Sequence, residues 1–169
     1  MDSVHNAIAY TGNKGTRMLK TLTRKSDCVE IAERISILTP ASQRHWGSMS
    51  VDGMLCHLND SYIAGLGEKV VNPVKTPLPR AVMKFLALSI PMKWPKNMPT
   101  TEEVRQGGNG TSPHNFTDDQ ARLLETLQRF CAYEQFAQVK HPFFGPMRHE
   151  DWTRWGYLHA DHHLRQFGA

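Results

Sequence analysis

Apolar side chains recur every three or four residues over four stretches of this 169-residue chain, the spacing that lines one face of an α-helix. The first predicted helix runs from about Asp27 to Leu38, with Ser26 as its N-cap and a stripe of Cys28, Ile31, Ala32, Ile35 and Leu38. Thr39 and Pro40 stop it, because a residue before proline is pushed out of the helical region. The second, capped by Ser48 or Ser50, continues to about Leu66 on a stripe of Val51, Met54, Leu55, Leu58 and Tyr62. The third opens on Thr117-Asp118-Asp119-Gln120, which fits a capping box, and runs through Leu123, Leu127 and Phe130 to about Gln138. The segment HPFFGPM, His141 to Met147, cannot be helical with Pro142 and Pro146 inside it, and delivers the chain to a last helix beginning near His149.

Between the second and third helices lies a connection from Gly67 to Phe116, rich in proline and glycine, with one short apolar helix from about Pro79 to Ile90. A structureless run such as Lys93 to Phe116 is unusual inside a domain, and reads as a lid or a crossover strap. Four long helices joined short, long, short, with no convincing strand pattern, predict an all-α four-helix bundle with one long crossover. Residues 1–25 lack periodicity and read as a solvated, mobile tail, leaving 26–169 as the domain.

The last helix carries the candidate chemistry. Measured from His159, the positions Trp152, Trp155, Gly156, His162, His163 and Gln166 fall within roughly 60° on a helical projection, while Glu150, Arg154, Asp161 and Arg165 fall opposite. Imidazoles on an inward stripe need hydrogen-bond partners or a metal ion, since burying them unpaired costs on the order of 1–3 kcal/mol. His159 and His163, four residues apart, can aim two nitrogens at one ion. The sequence HADHH has Ala160 where the zinc-peptidase motif HExxH needs its glutamate, which excludes that peptidase chemistry. His57, at the edge of the second helix's apolar arc among Gly53, Ser61 and Ala64, is the other histidine inside a helical stretch. From periodicity alone, a packed and hydrogen-bonded set of histidines is favoured over metal ligands.

Composition changes this picture little. With 40% hydrophobic and 21% charged residues the chain has ordinary soluble make-up; its longest apolar run, around Phe85 to Ile90, is far too short for a bilayer span, and the N-terminus lacks a signal-peptide layout. A cytoplasmic location is the default expectation. Cys28, Cys56 and Cys131 are odd in number and widely spaced, so buried thiols are expected rather than a disulfide framework. The formal charge of +4 comes partly from Lys14, Arg17, Lys20, Arg24 and Lys25, a cluster without the interleaved aromatics that nucleic acid would want. Neither a nucleic-acid nor a membrane partner is expected.

Two blocks, HWGSMSVDGMLCHL from His45 to Leu58 and HPFFGPM followed by WTRWGYLHADHHLRQFG, resemble the DinB-like (YfiT-like) superfamily of bacterial metalloenzymes, in a branch labelled as a domain of unknown function. The likeness spans about Asp27 to Gly168, less clearly in the proline-rich middle. It implies a four-helix bundle in which His57, His159 and His163 bind a divalent metal, with His162 and Gln166 as orienting partners. Zinc or nickel suits such ligands. The same resemblance implies a small-molecule substrate and thiol-dependent transferase or isomerase chemistry, with a low-molecular-weight thiol such as bacillithiol or mycothiol, or else hydrolysis. Pairing of two copies through helix faces fits it too.

No carboxylate is convincingly placed as a general base; Asp60, near His57 on the small-residue edge, is the one candidate. Trp152, Trp155, Phe143 and Phe144 read as core more than as pocket wall. The competing expectation is a non-catalytic helical scaffold for binding or stress response, with structural histidines.

Overall fold

A computed structural model describes residues 19–169. Those residues are mostly helical: α1 (Lys25–Ser36), α2 (Val51–Gly65), α3 (Arg80–Ser89), α4 (Phe116–Cys131) and α5 (His149–Gln166), with a two-stranded antiparallel sheet of β1 (Lys140–His141) and β2 (Gly145–Pro146). The HPFFGPM segment thus makes a small hairpin, a strand element the periodicity did not anticipate. Five helices therefore stand where four long ones and one short one were expected, with ends that differ in detail.

The differences at the ends have local causes. Helix α1 starts at Lys25, so Ser26 lies inside it, and its N-cap residue is Arg24 with no side-chain cap. Its first turn is instead held by buried Asp27, which accepts from the Thr21 backbone and from the side chains of Lys20 and Arg24. Ser50 caps α2 by accepting from Gly53 N–H. Asn115, one residue before the helix, caps α4 by accepting from Asp118 N–H, in place of the Thr117 box. That helix ends at Cys131 rather than Gln138, and the remainder forms a short 3₁₀ turn at Phe136–Gln138.

Part of the expected tail is folded. Leu22 is buried, its N–H bonded to the Thr153 carbonyl on α5, and Lys20 pairs with Asp27 and Glu30. The domain therefore begins before Ser26; the rest of the tail, 1–18, with Lys14 and Arg17, lies outside the described residues.

Helix α2 packs against both α4 and α5, and α1 packs against those same two helices. Because α2 has neighbours on nearly every side, residues 53–62 are buried without interruption, which is the pattern of a core helix rather than of a surface one. Two glycines, one on α2 and one on α5, make room for the Phe130 ring of α4. A Cβ on Gly65 would lie 2.7 Å from the Phe130 ring, and one on Gly156 would lie 2.8 Å from the same ring and 2.9 Å from Leu22. The Tyr62 hydroxyl then donates to the Gly156 carbonyl at 3.0 Å, fixing the register of the two helices that carry the candidate histidines.

Cys28 of α1 and Cys131 at the end of α4 form a disulfide, with Cα atoms 6.6 Å apart. This corrects the expectation of three buried thiols. The partners are 103 residues apart in sequence and meet only because α1 lies along α4, which spacing alone cannot reveal. Cys56 remains a buried thiol whose pKa is pushed up to about 12, first by burial and then by the charges of Asp119 and Asp60.

Candidate metal centre

His57 projects from the middle of α2, and His159 and His163 from successive turns of α5. The structure brings the three rings together: one nitrogen from each lies within 4.8 Å of the others, with His57 buried and His159 and His163 partly open toward the cavity they line. The Nε2 atoms of His57 and His159 are 3.1 Å apart. Two imidazole nitrogens sharing one tetrahedral ion at about 2.0–2.1 Å would stand about 3.3 Å apart, so the His57–His159 pair as placed fits a shared ion with little movement.

The tautomers can be read from the neighbours. Nδ1 of His57 lies 2.7 Å from the Val104 carbonyl, which can only accept, so Nδ1 carries the proton and Nε2 keeps its lone pair. Gln166 does the same for His163 in two steps. Its amide NH₂ donates to the Trp46 carbonyl at 2.8 Å, which turns its Oε1 toward His163 Nδ1 at 3.1 Å. His163 is thereby protonated on Nδ1 and free on Nε2. In this way two of the three rings are oriented as metal-ligating imidazoles usually are, through the other nitrogen. The Nδ1 of His159 has no partner among the described residues.

Electrostatics favours the neutral, lone-pair form. Desolvation, reinforced by neighbouring imidazoles, holds His159 and His163 well below the ordinary histidine range. Burial lowers His57 too, against an opposing pull from the Val104 carbonyl.

Beside the histidines lies a cavity of about 1230 Å³. Trp155 stacks on His159 with centroids 4.9 Å apart, and Trp94 tilts over both His159 and His162 at 6.3 and 6.2 Å. Trp94 is anchored by its indole N–H, which donates to the Ala87 carbonyl at the end of α3. Among the described residues, five buried polar side-chain atoms lack a hydrogen-bond partner, and four of them, on Thr101, Trp152, His159 and His162, belong to residues that line this cavity. Orphaned groups gathered on one cavity wall are the mark of a space meant to be filled by water, an ion or a ligand.

Opposite Trp155 sits His141 of β1, whose ring stacks on Phe144 and meets Trp155 edge-on at 5.0 Å. Its Nδ1 accepts from the backbone N–H groups of Phe143 and Phe144 at 3.2 and 3.3 Å, and burial lowers its pKa to about 3. It is therefore neutral with its proton on Nε2.

Of the other residues marked in the sequence, Gln166 is hydrogen-bonded to one of the three rings, that of His163. His162 has no hydrogen bond to the three rings among the described residues; it faces Trp46 and Trp94 instead. Asp60 is corrected as a general-base candidate. Its carboxylate accepts from the backbone and hydroxyl of Thr111 and pairs with Lys69 at 2.8 Å, so it ties the crossover to α2. Asp161 pairs with Arg34 and Arg165, away from the histidines. Trp152, Trp155, Phe143 and Phe144 all line the cavity while serving the core. Val104, Trp94, Trp46 and His141 escaped the sequence reading: a backbone carbonyl leaves no side-chain signal, and the three rings lie in loops or strands without helical periodicity.

Residues 20–169 match a family described as a protein of unknown function, DUF1569. The chain belongs to the DUF1569 family. No curated protein and no solved structure matches it.

Proposed function

We propose that this DUF1569 chain is a metal-dependent enzyme in which His57, His159 and His163 hold a divalent ion, zinc or nickel, at the floor of a small-molecule cavity. In this reading α1, α2, α4 and α5 form a DinB-like four-helix bundle and the segment between α2 and α4 is its crossover. The observation that carries the proposal is the lone-pair arrangement: the Val104 carbonyl and Gln166 each hold one imidazole with Nε2 deprotonated and turned inward. A set of merely packed histidines needs no such matched tautomers.

A divalent ion held by three imidazoles keeps a further position for a thiol or a water and lowers its pKa. The chain supplies the rest. Val104 and Gln166 orient ligands, desolvation keeps the rings neutral, and Trp155 and Trp94 exclude water from one side of the site. His141 offers a fixed N–H donor on the cavity wall to position an acceptor group of the substrate. A thiol-dependent transfer or isomerisation suits this donor set, with hydrolysis as the alternative use of the same position.

Elemental analysis of protein purified without a histidine tag tests the reading. The expected result is one divalent ion per chain, lost in both His57→Ala and His159→Ala. Substoichiometric metal that neither substitution changes would leave the histidines structural and the protein a helical scaffold.

A further inference from the structure

From Lys69 to Thr101 the chain contains six cations and no acid, with Glu68 and Glu102 closing the interval. The same interval holds seven of the ten large apolar side chains that are exposed among the described residues. Either bias alone would be unremarkable, since single exposed apolar residues are common. Together they concentrate charge and apolar surface on one segment.

The geometry of α3 makes the segment two-faced. Its inner side turns Leu88 into the core and Met83 and Ala87 toward the cavity. On the opposite side Val82 and Phe85 are 43% and 60% exposed, and Leu86, 38% exposed, sits at the edge of this face where it also lines the cavity; the three positions fall within roughly 100° of one another on a helical projection. Met92 and Met98, in the loop that follows, extend this surface around the cavity mouth. Two of the six cations are engaged: Lys69 with Asp60 and Lys84 with Asp151. Lys75, Arg80, Lys93 and Lys96 are exposed and have no acidic partner among the described residues.

We propose that the outer face of α3 and the loop to Thr101 dock this protein peripherally onto an anionic lipid surface, with Val82, Phe85 and Leu86 entering the headgroup region and the four cations that lack an acidic partner meeting lipid phosphates, two of them from weaker contacts, Arg80 on the Val74 carbonyl and Lys96 over the Trp46 ring. Apolar side chains flanked by lysine and arginine are what an interfacial helix needs, and each cation near an anionic leaflet strengthens the attraction. No helix among the described residues is long and apolar enough to cross a membrane, so the contact lies on the surface of the bilayer. Neither the N-terminal cations nor the absence of a span bears on this face, where a surface contact replaces the expected lack of a membrane partner.

Charge argues against the other occupants. A second copy meeting this face symmetrically would set like cations against one another. Residues 1–18 carry one acid, Asp2, against Lys14 and Arg17, and so offer no complementary charge. Because the inner side of the same segment lines the cavity, docking there sets the cavity mouth beside the acyl chains.

Co-sedimentation of the full chain with vesicles of phosphatidylglycerol and phosphatidylcholine, compared with pure phosphatidylcholine, tests the proposal. Binding is expected to the anionic vesicles only, weakened by salt. It should fall about tenfold or more in the Lys93→Glu/Lys96→Glu double variant, and similarly in Phe85→Ser. Val82→Ser provides a second substitution on the same face, and unchanged thermal melts show that these variants fold. Absence of binding, equal binding to both vesicle types, or binding that Phe85→Ser and Val82→Ser leave intact would each overturn the proposal. So would sedimentation velocity showing a wild-type dimer that Phe85→Ser dissociates, because the face would then belong to a second copy.

Discussion

On the side of the cavity built by α2, α5 and the β1–β2 hairpin, His57, His163 and His141 each have one ring nitrogen engaged by a fixed partner. On the side built by α3 and its following loop, Val82, Phe85 and Leu86 have solvent where neighbours would be. The first region is specified from within, by carbonyls, amides and close-packed rings, so its properties should depend on single atoms of the protein. The second is left open, and its properties should depend on what comes to it. That contrast separates stability from recognition across one cavity.

The largest expected effect is on the inner side. Trp152, 2% exposed and packed on Phe136, His141 and Trp155, should cost about 3–5 kcal/mol when replaced by alanine, read as a shift in urea unfolding. A loss of less than about 1 kcal/mol would mean that this side is no better specified than the α3 side, the cavity's roof.

Acid should attack the same side next. The folded pKa of His141 is about 3, below the roughly 6.5 of an unfolded histidine. Its contribution to stability is thus complete above that unfolded value and is lost as pH falls toward the folded one. At about pH 4.5 the loss amounts to roughly 2–3 kcal/mol. His141→Phe should make this part of the stability–pH curve less steep, because one of the buried histidines that take up a proton on unfolding is gone.

A smaller effect follows from Gln166→Leu. It removes the acceptor for His163 Nδ1 and the donor to the Trp46 carbonyl, and should weaken metal binding about 10- to 100-fold in a competitive chelator titration. An unchanged affinity would mean that His163 needs no orienting partner. The smallest effect belongs to the roof: Phe85→Ser should leave unfolding free energy within about 0.5 kcal/mol of wild type. A large loss there would show that α3 is held by its outer face and would erase the contrast.

Much of the inner side was legible in the sequence. The helical spacing of His159, His163 and Gln166 placed two candidate ligands and a candidate orienting group on one stripe, and the three side chains do share one side of α5. His57 was harder to place, because α2 is buried all round and its periodicity gives no clean inside. The carbonyl of Val104 and the Cys28–Cys131 disulfide depend on which segments become neighbours, a property of the fold that no local spacing encodes. The charge bias from Lys69 to Thr101 was present in the chain from the start, but acquired meaning only when its apolar residues proved to point outward.

X-ray absorption at the metal edge of untagged protein tests the central claim most directly. One bound divalent ion with three imidazole nitrogens at about 2.0–2.1 Å is expected in the wild type, and no ion in His57→Ala. An ion whose coordination is the same in wild type and His57→Ala, or a wild-type protein that binds no ion at all, would contradict that claim.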